Sequence, residues 1–384
     1  AFLNCRSLQE VVFAPNSKLT SIGSHAFSSC MGISSFEIPA GVTKVGTDPY
    51  TAFTHWTENQ TIIVKGFASQ EEADEAWGSK WRYTCRATII YEGTPFEMLQ
   101  FQLNDDGMTY TVWGKSEKSE ELTEIEIPAT YNGLPVTIIG DDAFSDCTAL
   151  TNINIPEGVT NIGDNAFRDC ISLTSVTLPE SVTSISRYAF YNCTSLVSIN
   201  LPEGITSIER KVFAFCTSLA SIILPEGITS IGNGAFRECT SLTSITIPEG
   251  VTSIGGGAFA YCTSLVSIIL PEGITSIGIR VFYRCTSLES INLPEGITNI
   301  GAGAFENCTS LASITIPASV IVIDGWIANN ETLTIGWWLF IGWTEEQTII
   351  VKGFASEEEA DEAWGADWRE CCNATIIYEG ASAE

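Results

Sequence analysis

Apolar and polar positions along residues 144–317 return with a single period of 23 residues, and the coil before them, from Leu122, carries five extra residues between Pro128 and Phe144. Phe144, Phe167, Phe190, Phe213, Phe236, Phe259, Phe282 and Phe305 mark it, and a cysteine follows each three places on, from Cys147 to Cys308. Eight leucines and eight prolines keep the same step, from Leu150 to Leu311 and from Pro156 to Pro317. One copy, residues 242–263, reads LTSITIPEGVTSIGGGAFAYCT. Ser244 to Ile247 alternates polar and apolar, which predicts a short strand with Ile245 and Ile247 inward. Pro248-Glu249-Gly250 predicts a turn, with proline fixing φ and glycine allowing a left-handed exit. Val251 and Ile254 re-enter the core. Ala258, Phe259, Cys262 and Leu265 then fall at helical spacing, predicting one face of a short helical turn. A coil with a single apolar edge cannot fold alone, so stacked coils must bury one another's edges in a solenoid.

A second duplication sets the expected boundaries. Residues 56–93 and 343–380 align without gaps, identical at 31 of 38 positions. Each predicts strand, helix, strand, with Ser69 and Glu72, and again Ser356 and Glu359, as N-terminal capping boxes. No tryptophan falls between Trp113 and Trp326, so large aromatics gather where a solenoid end must be sealed. The expected domains are a truncated first block over 1–55, its cap over 56–93, an opening β-hairpin over 94–121, a regular array over 122–325, and an insertion with the closing cap over 326–384. The two blocks join near Gly93-Thr94-Pro95. Phe96, Met98, Phe101 and Leu103 before Asn104-Asp105-Asp106-Gly107, and Tyr110 and Val112 after it, predict the hairpin. The chain opens in mid-repeat, on Ala1-Phe2-Leu3-Asn4-Cys5, without an initiator methionine or signal peptide. That start predicts a fragment of a longer secreted precursor.

The pattern L-x-S-I-x-[IL]-P-E-G-[IV]-T-x-I-G-x-x-A-F-x-x-C-x-S-L resembles the BspA-like, or Treponema pallidum type, leucine-rich repeat, in two blocks over nearly the whole chain. The resemblance implies a leucine-rich repeat solenoid, a β-rich (α+β) right-handed superhelix. It also implies a bacterial cell-surface or secreted protein, often an adhesin-like binder of surface proteins of host or bacterium, with no catalytic activity. It supplies no active-site residues.

Charge narrows the partners. Lys and Arg number 18 against 46 Asp and Glu, a net charge of −28, which repels a phosphate backbone and argues against nucleic acid. The longest strongly apolar stretch, near residues 335–343, covers about nine residues, too few for a bilayer span of roughly 20. Only His25 and His55 are present, and neither has a recognisable Ser or Cys partner. No cofactor motif, metal-ligand pair or catalytic constellation appears. The cysteines at one coil position read as a buried thiol ladder, with oxidation of neighbouring pairs left open, as is a strained bond or metal ligation at Cys371-Cys372. The glutamates of the P-E-G turns, Glu157 to Glu295, read as solvated turn residues, with divalent cations or a basic partner as the alternative. Asp105-Asp106 reads as a hairpin turn rather than a calcium site.

Differences among the copies point to a binding surface. The outward strand positions are mainly Ser, Thr and Asn, giving a flat, polar, nearly uniform face. Diversity collects in the two residues before Ala-Phe and the two between Phe and Cys. Every basic residue between Asp141 and Pro317 lies there: Arg168, Arg187, Arg210, Lys211, Arg237, Arg280 and Arg284. Tyr188, Tyr191, Phe215, Tyr261 and Tyr283 accompany them. Arg and Tyr are enriched at binding hot spots, so this edge is the expected partner site, against neutral drift on a solvated rim. The aromatic run containing Trp337 and Trp338 is a second candidate, with core sealing as its alternative. The expected function is a non-enzymatic extracellular module that binds or adheres to unidentified surface proteins. A spacer in a wall-anchored protein and a carbohydrate-binding module are the alternatives.

Overall fold

The computed structural model describes residues 2–13, 17–46, 51–67, 69–92, 98–115, 122–324, 339–364, 368 and 372–380. The chain is a leucine-rich repeat solenoid with little helix. It divides into two compact units, one of Ala1–Thr137 with Ile153–Gly158, the other of Ile138–Asn152 with Val159–Glu384.

In the larger unit each coil contributes two short strands, not one. The first ladder pairs Ser244 with Ser267 and Ser267 with Ser290, all parallel, one repeat apart. A second ladder runs through Ser207–Ile208, Ser230–Ile231, Ser253–Ile254, Ser276–Ile277, Asn299–Gly301 and Val322–Asp324. Its strands are only two or three residues long, so alternation gives no sign of them. The P-E-G turn links the two strands of each coil, and its proline carbonyl takes the amide two residues past the glutamate, as in Val251 to Pro248 at 3.1 Å.

The third side carries the Ala-Phe segment, and it is a ladder of turns instead of the expected helical turn. Asn165, Asp169, Tyr188 and Asn192 have φ of 55°, 59°, 60° and 58°, which no right-handed helix admits. Alternate amides leave the coil altogether. Phe167 donates to Ala189 (2.8 Å), Phe190 to Val212 (3.0 Å), Phe213 to Ala235 (2.9 Å) and Phe236 to Ala258 (2.8 Å). The intervening amides close i to i−3 turns, as in Cys193 to Phe190 at 3.4 Å. Every coil is thus stitched to the next on all three sides.

The phenylalanines stack inside this frame. From Phe144 to Phe305, ring centroids lie 5.2–5.9 Å apart and planes tilt by no more than 15°. All eight are fully buried. At roughly 1.5–3 kcal/mol per buried large apolar side chain, this column is a principal source of stability.

Cysteine does more in this core than fill space. From Cys170 to Cys308 each thiol of the column donates to the carbonyl of the phenylalanine one coil back, as Cys193 to Phe167 (3.1 Å), Cys216 to Phe190 (3.1 Å), Cys239 to Phe213 (3.2 Å) and Cys308 to Phe282 (3.1 Å). The same carbonyl also accepts its own coil's cysteine amide, so the S–H supplies its second bond. Burial pushes the thiols of Cys216, Cys262 and Cys308 up to about 12. At pH 8 such a group is ionised about once in ten thousand molecules, and the thiolate is the nucleophile. Mass-spectrometric mapping after brief iodoacetamide treatment should find these three unmodified in native protein and fully modified in 6 M guanidinium. Native labelling at the rate of a free thiol would contradict this packing.

The duplicated 38-residue segments reuse the same hydrogen bond with a larger donor. Phe53-Thr-His-Trp56 and Phe340-Ile-Gly-Trp343 stand where coils have Phe-x-x-Cys. The Trp56 indole donates to the Phe27 carbonyl (2.8 Å) and that of Trp343 to Phe305 (3.0 Å). Gln60 bonds the carbonyls of Cys30 and Ile33, and Gln347 those of Cys308 and Leu311. Trp77 and Trp364 donate to Val42 and Val320. Strand Thr61–Lys65, helix Gln70–Trp77 and strand Thr88–Glu92 form the first segment, and Thr348–Lys352, Glu357–Trp364 and Thr375–Glu379 the second. Ser69 and Ser356 accept the amides of Glu72 and Glu359, the N-cap half of the expected capping boxes, while the Glu359 carboxylate takes the amide of Ala355, one residue before Ser356.

In the smaller unit, antiparallel strands Leu99–Leu103 and Tyr110–Lys115 form a hairpin. Asp106 accepts the amides of Met108 and Thr109 and the Thr109 hydroxyl. These bonds hold its carboxyl below the usual range and make it a turn-closing residue. No helix among the described residues is long and apolar enough to cross a membrane.

Candidate functional site

On the turn side, Ala, Phe and Cys point inward and are buried, which turns the residues flanking them outward. Arg168, Arg187, Arg210, Arg280 and Arg284 are exposed; Tyr188, Tyr191, Lys211, Phe215, Arg237, Tyr261 and Tyr283 are half-buried. Their side chains gather into two clusters.

In the first, Arg168 lies 5.3 Å from the Tyr191 ring centre, while Arg210 (5.7 Å) and Lys211 (5.6 Å) share Tyr188. Tyr191 meets Tyr188 at 5.7 Å and Phe215 at 5.2 Å. Arg187 pairs with Asp164 at 2.7 Å, which holds its guanidinium above the usual value. In the second, Arg237 covers Tyr261 at 4.8 Å, Arg280 covers Tyr283 at 5.2 Å, and Arg284 reaches both rings. The two tyrosines meet edge to face at 5.0 Å. Glu306 closes this cluster 3.7 Å from Arg280; burial raises its carboxyl, against the pull of Arg280 and Arg284.

The backbone conformation under these side chains is costly. Tyr188, Lys211, Phe215, Tyr261, Arg280 and Arg284 all have φ between 54° and 64°. At the same two coil positions other repeats carry Asn165, Asp169, Asn192, Gly234, Gly257, Gly303 and Asn307. Those residues enter the left-handed region cheaply, whereas a bulky one costs about 1–2 kcal/mol. Ring and guanidinium contacts at partly exposed sites return about 0.5–1 kcal/mol each. Lys211→Asn should therefore leave thermal stability unchanged or raise it, by up to about 1.5 kcal/mol. A melting experiment showing a loss above about 1 kcal/mol would contradict the strain argument.

Trp337 and Trp338 lie outside the described residues. The strand face departs from the expected uniform polarity. Ile223 and Ile269, in the outward column otherwise filled by Asn and Thr, are 80% and 66% exposed, and Val197 and Val266 are exposed beside them. The repeat pattern hid these positions because the consensus admits any residue there. Among the described residues no group of three or more His, Cys, Asp or Glu is placed to hold a metal ion.

A family model for the BspA type leucine rich repeat region (6 copies) matches residues 1–66, 117–240 and 206–334. No curated protein matches significantly. Among solved structures, a Treponema pallidum leucine-rich repeat protein is 30% identical, covers 57% of this chain and 91% of its own, and has a TM-score of 0.47. A leucine-rich cell surface protein from Faecalibacterium prausnitzii is 26% identical over 74% of this chain and 94% of its own, with a TM-score of 0.42. The pneumococcal vaccine antigen PcpA is 19% identical over 90% of this chain and 89% of its own, with a TM-score of 0.45.

Proposed function

The chain belongs to the BspA-type leucine-rich repeat family, and from that premise we propose that it is a non-enzymatic surface module that binds a protein partner through its Arg/Tyr edge. Its location is extracellular, at the cell surface, as is expected of this family. Its organisation is two repeat blocks in tandem, the first ended by the cap at 56–93 and the second by the insertion and cap at 326–384. The observation that carries the reading is the placement of Tyr188, Phe215, Tyr261 and three cations at left-handed positions that other coils of the array fill with Gly, Asn or Asp, Glu238 excepted. Residues that cost stability where cheaper ones serve elsewhere in the same fold are a mark of function. The side chains are also of the kinds that dominate binding energy, rigid aromatics and arginine.

The test is surface plasmon resonance of the intact chain against purified plasma and extracellular-matrix glycoproteins, with Arg187→Ala, Tyr188→Gly, Tyr191→Ala and Arg210→Ala combined. At least one glycoprotein should bind saturably, and the fourfold variant should weaken it by at least about tenfold. Unchanged affinity in a folded variant, or no saturable binding, would refute the reading.

A further inference from the structure

We propose that the Arg/Tyr edge of one copy packs against the P-E-G glutamate column of a second copy, joining chains side by side. The inference uses the edge of the proposed function but not its external ligand. Charge is unevenly distributed in this array. Arg187, Arg210, Lys211, Arg237, Arg280 and Arg284 lie on the turn side of four of five successive coils, with Glu209 and Glu238 among them and Asp164 and Glu306 paired to Arg187 and Arg280 from the coils on either side. Glu180, Glu203, Glu226, Glu249, Glu272 and Glu295 form the P-E-G column, and all six are exposed.

Both columns are generated by the same repeat, so both advance by one coil, about 4.8 Å per step. A register that sets the coils of residues 186–284 against Glu180 to Glu295 therefore keeps cation opposite carboxylate in four coils of five. An extended acidic peptide, whose same-face side chains recur at about 6.6–6.8 Å, falls out of step within two coils. The column also takes a cation within this chain: Lys352 pairs with Glu295 at 2.9 Å, both remaining exposed. Single exposed pairs contribute about 0–1 kcal/mol, but a rigid row of them forms and breaks as one contact. The two surfaces differ, so the contact is heterologous and leaves a free edge of each kind for further copies.

The net charge of −28 gives the association a distinctive salt dependence. At low ionic strength whole-chain repulsion keeps copies apart. Near 0.1 M, with a screening length of about 10 Å, that repulsion fades while close pairs persist, and at higher salt the pairs weaken as well.

Sedimentation equilibrium of the full chain from 0.01 to 0.5 M NaCl tests this. The expected result is association strongest near 0.1 M. Glu203→Lys, Glu226→Lys and Glu249→Lys combined, or Arg210→Glu, Lys211→Glu and Arg237→Glu combined, should each weaken it at least tenfold. An equimolar mixture of the two triple variants should associate again, since each then offers the edge its counterpart lacks. Circular dichroism establishes that both variants are folded. A wild-type chain monomeric at every salt concentration, a variant that still associates, or a mixture that stays monomeric overturns the proposal. Loss of glycoprotein binding in the fourfold edge variant would leave the proposed function standing even then.

Discussion

Phe236→Ala should destabilise the array by about 3–5 kcal/mol, as removal of a fully buried ring does when its surroundings cannot collapse. The surroundings are unusually fixed here. Phe236 stacks between Phe213 at 5.6 Å and Phe259 at 5.4 Å, and its amide and the backbone beneath it are tied to the next coil. Neighbouring rings cannot slide into the void without breaking those bonds. Because each coil touches only its neighbours, a weakened central interface also loosens cooperativity between the two halves. Urea titration should show a lower midpoint and a broadened or split transition, whereas a loss below 1 kcal/mol would show that the phenylalanine column does not bear on stability as described.

Trp343→Ala should cost a similar amount, about 3–5 kcal/mol, localised to the C-terminal end. The indole is buried, meets Phe340 edge to face at 4.9 Å and donates to the Phe305 carbonyl. Two further replacements separate size from hydrogen bonding. Trp343→Phe keeps a ring and loses the donor; Phe305 still accepts the Cys308 amide, so the cost should be about 1 kcal/mol. Trp343→Cys rebuilds the Phe-x-x-Cys of an ordinary coil and should fall between, regaining the thiol donor but leaving a cavity. Thermal melts ranking Ala below Cys below Phe support this assignment, and equal stabilities would remove it.

The repeat, its inward residues and the duplicated segments were legible because burial enforces them in every copy. Phe213 and Cys216 cannot change without a void, so their spacing survives. The second strand ladder was not legible, since a pair such as Ser253–Ile254 is too short to show a period. The turn ladder had a signal that helical spacing masked: Asn, Asp and Gly recur at the two positions that need positive φ, as at Asn165, Asp169, Gly234 and Gly257. The indole-for-thiol exchange was also written in the chain, as Phe53-x-x-Trp56 and Phe340-x-x-Trp343, but its meaning depends on which carbonyl the donor faces. For the candidate edge, composition alone placed Arg and Tyr on one rim. Their gathering into two clusters around Tyr188 and Tyr261 depends on side-chain reach between coils, which no spacing rule conveys.

Scalar couplings across hydrogen bonds test the stacking most directly. In deuterated, 15N,13C-labelled protein, the amide of Phe190 should couple to the carbonyl carbon of Val212, Phe213 to Ala235 and Phe236 to Ala258, each 22 residues ahead. Couplings from those amides to carbonyls four residues back, or to carbonyls offset from these partners, would mean that the coils are helical or out of register, and the account would fail.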